Sequence, residues 1–99
     1  MDEKTFQQAQ EWASFYQTIS NPHRVLIVWA LFERELSVGE LAEEIQATLQ
    51  NTSQHLRLMK DRGFVEARRE GQTIYYKIVD HPFFADCAIL RHLRKTNHP

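Results

Sequence analysis

The chain is 99 residues long, 42% hydrophobic and 25% charged, with a formal net charge of −1. At roughly 150 residues per domain this predicts one domain, residues 1–99, whose modest core a dimer interface would enlarge. No apolar run approaches the ~18 residues of a membrane span, and Met1-Asp2-Glu3-Lys4 has neither the basic nor the apolar region of a secretory signal; the single Cys87 cannot close an internal disulfide, so a reducing cytoplasm is expected.

The expected elements follow one another without a linker or repeat. Over residues 4–19, Phe6, Ala9, Ala13 and Tyr16 recur at helical spacing with Trp12 and Ile19 beside them, a heavy aromatic load for a terminal helix. Ser20 or Asn21 can cap a second helix with Pro22 in its first turn, where a missing N–H costs nothing. Val25, Val28, Trp29 and Phe32 form its apolar stripe. Ser37 with Glu40 three residues on has capping-box spacing, and the third helix turns Val38, Leu41, Ala42 and Ile45 inward. A fourth helix spans about 48–62, capped by Thr48 and ended by Gly63. Its faces separate: Leu49, Thr52, Leu56 and Met59 point one way, and Gln50, Ser53, Gln54, Arg57 and Lys60 the other, with Asn51 adjoining them.

After Gly63 the period changes from about 3.6 to 2. Val65 and Ala67 alternate with Glu66 and Arg68, while Ile74, Tyr76 and Ile78 alternate with Tyr75 and Lys77. Glu70-Gly71-Gln72 turns between them, which predicts a β-hairpin over about 64–79. Asp80 or His81 can cap a last helix, about 82–95, that is apolar around much of its circumference from Phe83 to Leu93. The order is α-α-α-α-β-β-α: mainly helical with a small hairpin, the pattern of a winged helix–turn–helix. The first and last helices would be partly exposed in a monomer, so they are the expected dimer contacts.

The near-neutral total conceals a gradient. Residues 1–47 hold eight acids and three bases, net −5; residues 48–77 hold six bases and three acids, net +3; residues 78–99 add +1. Basic charge thus concentrates on the fourth helix and the hairpin, as a nucleic-acid footprint would. A helix entering the major groove needs an apolar back and a hydrogen-bonding front. Gln50, Asn51, Ser53 and Gln54 suit base edges, Arg57 and Lys60 suit phosphates, and Arg68, Arg69, Gln72 and Thr73 on the hairpin can reach the backbone or the minor groove. The plain alternative for the hairpin residues is a solvated surface.

Five ordered motifs between about residues 20 and 79 carry a family likeness: Asn21-Pro22-His23-Arg24, Glu35-Leu36-Ser37-Val38-Gly39-Glu40-Leu41-Ala42, Ser53-Gln54-His55-Leu56, Arg62-Gly63-Phe64-Val65, and Arg68-Arg69-Glu70-Gly71-Gln72-Thr73-Ile74-Tyr75-Tyr76. With them the chain resembles the ArsR/SmtB family of winged helix–turn–helix repressors. The resemblance implies a homodimer built from the first and last helices, an imperfect palindromic operator in double-stranded DNA, and release by an inducer, often a metal ion. Two positions depart from the family pattern. Gln46 stands where a Gly is usual, and Leu49 where a polar residue is usual.

The family's metal site near Ser37 and Gly39 needs cysteines that this chain lacks. A second family site lies on the last helix. His81 and His92 match its His-to-His spacing, about 16 Å apart along one helix, so that only an antiparallel partner could bring two such rings together. Val79 and Lys95 replace the other two ligands, although Asp80, Asp86 or His98 could substitute. Zinc wants about four ligands, so no tight metal site and no cofactor are expected, with His81 and His92 as weak candidates. The inducer is not legible. Cys87, lacking a second cysteine, reads as a buried apolar residue rather than a redox sensor.

Catalysis is not expected. There is no glycine-rich phosphate loop, no nucleophile motif and no HExxH among His23, His55, His81, His92 and His98. The competing function is a winged-helix protein-docking module, which would not need amides on the helix front or arginines on the hairpin.

Overall fold

The computed structural model describes residues 1–79 and 82–85. Its elements run α1 (Glu3–Thr18), α2 (Pro22–Leu31), β1 (Leu36–Ser37), α3 (Val38–Glu44), α4 (Leu49–Asp61), β2 (Val65–Glu70), β3 (Thr73–Ile78) and α5 (Pro82–Ala85). Most of the expected 82–95 helix, including Cys87 and His92, lies outside the described residues, as does His81.

Helices α1 to α4 each start where a side-chain oxygen can satisfy the first free N–H groups. Asp2 accepts from Thr5 N at 2.8 Å, and Asn21 accepts from His23 N and Arg24 N with Pro22 following it. Ser37 and Glu40 close a reciprocal capping box, with Glu40 N donating to Ser37 Oγ at 3.1 Å and Ser37 N donating to Glu40 Oε1 at 2.9 Å. Those bonds hold the Glu40 carboxyl below its ordinary pKa.

Two helices end in the same way. After α4, Gly63 takes φ +80°, Phe64 N donates to Met59 O at 2.8 Å and Gly63 N to Lys60 O at 3.0 Å. After α3, Gln46 takes φ +57°, Ala47 N donates to Ala42 O at 2.9 Å and Gln46 N to Glu43 O at 3.2 Å. Both are Schellman motifs, and the second places a residue with a Cβ in the left-handed region that glycine favours.

The sheet has three strands rather than the expected two, in the order β1-β3-β2. The additional strand is Leu36–Ser37, paired antiparallel to β3 as Leu36↔Tyr76 and Ser37↔Tyr75. β2 and β3 pair from Val65↔Ile78 to Glu70↔Thr73, leaving a two-residue loop in which Gly71 takes φ +63°. One residue at positive φ is the pattern of a turn whose twist matches that of the flanking strands.

Phe15, Ile19, Ile27, Val28, Leu31, Leu36, Leu41, Ile45, Leu56, Met59, Phe64 and Val65 form the core. The buried face of α2 is Ile27, Val28 and Leu31; Val25, Trp29 and Phe32, expected inward, are half-buried at its edges. On α1 the buried residues are Phe15 and Thr18, whereas Phe6, Ala9, Ala13 and Tyr16 all face outward from the protomer. Phe15 stacks on Phe64 at 5.1 Å and meets Phe83 edge-on at 5.0 Å, so α1, the start of the wing and α5 share an aromatic cluster. Thr18 fastens the end of α1. Its Oγ1 donates to Ser14 O at 3.0 Å and accepts from Arg62 Nη1 at 3.1 Å, and its carbonyl accepts from Arg24 Nε.

Candidate nucleic-acid interface

Helix α4 is built from its cap outward. Thr48 Oγ1 accepts from Asn51 N at 3.0 Å, which fixes where α4 begins. Thr52, Leu56 and Met59 are each 0% exposed and seat the helix on the domain. Thr52 is buried at no hydrogen-bonding cost because its hydroxyl donates to Thr48 O at 2.8 Å. This anchoring leaves Gln50, Ser53, Gln54, Arg57 and Lys60 exposed, with Asn51 half-buried. Among the described residues none of these five side chains is held by an ion pair or hydrogen bond, so their donors and acceptors are free for a ligand.

Leu49 differs from its expected place. Counted at about 100° per residue it belongs with the buried side, yet it is 56% exposed. The first fully buried residue of α4 is Thr52; Thr48, Leu49 and Gln50 are exposed and Asn51 is half-buried.

The two arginines of the wing point to opposite faces because strand residues alternate. Arg68 shares a face with Tyr75, its cross-strand partner, and its guanidinium lies 4.9 Å from the centre of that ring. Its Nε donates to Glu35 Oε1 at 2.6 Å and its Nη1 to Glu70 Oε2 at 2.9 Å. Arg68 is thus tied into the protein, bracing the wing against the segment before β1. Arg69 lies opposite Ile74 near the tip, exposed and without an ion pair among the described residues, and Gln72 and Thr73 are exposed beside it. Arg62, counted with the basic stretch, is spent on Thr18. Acidic charge gathers instead on α3, where Glu40, Glu43 and Glu44 are exposed and Arg34 pairs with Glu44 at 3.2 Å.

Behind the exposed face of α4, His55 Nδ1 lies 3.3 Å from Arg24 Nη1, and the rings of His23 and His55 are 5.6 Å apart. Arginine can only donate, so Nδ1 accepts and the neutral ring carries its proton on Nε2. Burial, followed by the nearby Arg24 and His23, lowers the His55 pKa from its ordinary value. His55 is therefore a packing residue between α4 and α2, a role sequence spacing alone does not distinguish from a phosphate contact.

Among the described residues no group of three or more His, Cys, Asp or Glu is placed to hold a metal ion, and no helix is long and apolar enough to cross a membrane.

Residues 21–67 match the family described as bacterial regulatory proteins of the arsR family. The biofilm growth-associated repressor of Xylella fastidiosa is 38% identical over 72 residues, which cover 73% of this chain and 63% of that protein. The crystal structure of the transcriptional repressor BigR from Xylella fastidiosa superposes with a TM-score of 0.80 at 30% identity, covering 96% of this chain and 92% of that one. A homodimeric winged helix–turn–helix DNA-binding domain, Mb0332 of Mycobacterium bovis, gives a TM-score of 0.76 at 26% identity, over 99% of this chain and 94% of that fragment. The chain spans from about half to under two thirds of the length of the first curated relatives it matches.

Proposed function

This chain belongs to the ArsR family of bacterial regulatory proteins, and from that premise we infer that it is a dimeric, sequence-specific DNA-binding repressor of transcription. The observation that carries the inference is α4: a capped helix seated by the buried Thr52, Leu56 and Met59, with a front of unengaged amides, a hydroxyl and two cations. Gln50, Ser53 and Gln54 read base edges in the major groove, with Asn51 at their side, while Arg57 and Lys60 hold phosphates. Arg69, Gln72 and Thr73 at the wing tip contact the backbone alongside, and Arg68 positions the wing. The repressors among its relatives, named for that activity, favour repression over activation. This reading assigns the protein no catalytic step and places it in the cytoplasm, with its operator.

The dimer rests on α1. Phe6 is 58% exposed and Tyr16 51%, on the same outward stripe as Ala9 and Ala13, an apolar face that a second copy would cover. Two symmetric reading helices then require an inverted repeat with half-sites about one helical turn apart. We also propose that regulation does not use a tight zinc site at His81 and His92. A stoichiometric, sub-micromolar zinc titration lost in His92→Ala would disprove that.

The test is selection of bound duplexes from a random pool by the purified chain. An enriched inverted repeat supports the assignment. A dimer that enriches nothing refutes it and leaves a protein-docking role.

A further inference from the structure

We propose that Leu49 determines part of the operator sequence by packing against the C5-methyl group of a thymine in each half-site, an inference that rests on the DNA-binding function above. Leu49 is the first residue of α4, and the residues at the start of the second helix of a helix–turn–helix are those that reach base edges. It lies within about 40° of Ser53 and about 20° of Lys60 around the helix axis, on the flank of the polar front. The large side chain is 56% exposed, since full burial on α4 begins only at Thr52.

The major groove offers such a side chain one apolar partner, the thymine methyl. The surrounding groups fit that role. Gln50 and Ser53, both exposed, flank Leu49 with donors and acceptors for neighbouring base edges, so the leucine would be enclosed by polar contacts instead of facing water. The other large apolar residues left exposed among the described ones are accounted for elsewhere or lie off this helix: Met1, Phe6 and Tyr16 at or on α1, Leu26 on α2 and Ile74 on the wing. Leu49 alone among them stands on the reading helix.

Burial of one methyl-sized group corresponds to about a fourfold change in affinity, hence about fifteenfold for two symmetric half-sites. The experiment uses the full chain and the operator enriched from the random pool. Each thymine is replaced in turn by deoxyuridine, which removes the methyl and keeps every hydrogen-bonding group. Dissociation constants are measured for the unaltered chain, Leu49→Ala and Gln54→Ala; alanine preserves helix propensity at this exposed site.

One thymine per half-site is expected at which uridine weakens the unaltered chain about fourfold. Leu49→Ala should bind thymine and uridine operators equally, and Gln54→Ala should retain the thymine preference. If the unaltered chain is indifferent to every replacement, or if Leu49→Ala keeps the preference, Leu49 does not read a methyl although DNA binding stands. If no duplex is enriched at all, the DNA-binding function fails and this inference with it.

Discussion

Gln46→Gly should stabilise the protein, and Gly63→Gln should destabilise it by a comparable amount. The two positions occupy equivalent places in two Schellman motifs with the same pair of closing hydrogen bonds, at φ +57° and φ +80°. A residue with a Cβ loses about 1–2 kcal/mol in the left-handed region, and glycine returns about 0.5–1 kcal/mol of that through its freer unfolded chain. The net effect is about 0.5–1 kcal/mol at each position, in opposite directions. A Cβ at Gly63 would meet nothing within 4 Å, so the loss there is one of backbone conformation and not of packing. At about 4–8 °C per kcal/mol for a domain of this size, Tm should rise by roughly 2–8 °C in one variant and fall as far in the other. Circular dichroism melts at one fixed protein concentration provide the assay, since a dimer's Tm depends on concentration. A Gln46→Gly protein that melts at or below the parent temperature would refute the strain argument. So would a Gly63→Gln protein unchanged in Tm.

Further outcomes follow from the interface and the core. Gln54→Ala should cost about 1–3 kcal/mol at a single base pair and relax preference there, while Arg69→Ala should weaken all sequences nearly equally and lower the salt slope by about 1; identical specificity changes in both would overturn the division into reading and positioning. Arg68→Ala should alter the salt slope less than Arg69→Ala, because Arg68 is already engaged by Glu35 and Glu70. Thr18→Val keeps the shape but removes the bonds to Ser14 and Arg62, and should lower stability by about 1–2 kcal/mol in urea unfolding. His55, whose folded pKa is lowered, takes up fewer protons folded than unfolded, so its contribution is complete above about pH 6.5 and is lost as pH falls through the window beneath that value. Unfolding free energies between pH 5 and 8 should fall less steeply in His55→Gln, and an unchanged slope would count against the burial argument.

Much of this fold was legible because its local signals are strong. The caps at Asn21, Ser37 and Thr48 lie within three residues of the N–H groups they satisfy, and the change of period after Gly63 is a property of adjacent residues. What stayed hidden depends on distant partners. β1 is two residues long and exists only because β3 pairs with it, so no alternation could reveal it. In α2 the unbroken apolar run from Val25 to Leu31 leaves the helical phase ambiguous, and packing chose Ile27, Val28 and Leu31. Leu49 follows the wheel of α4 but not its burial, because a wheel does not say where the supporting surface stops. For the site, composition identified the exposed front of α4, yet it could not separate Arg69, which is free among the described residues, from Arg68 and Arg62, which internal carboxylates and a threonine hydroxyl hold.

Because β1 pairs with β3 and not with β2, its partners lie far downstream, Leu36 against Tyr76 and Ser37 against Tyr75. The helix–turn–helix is enclosed within that span, and its own caps and Schellman turns close over three to five residues. Loop closure favours such short-range contacts before long-range strand pairing. The contacts that shape α3 and α4 are therefore more local than the strand pairing that completes the wing, and they close across shorter loops.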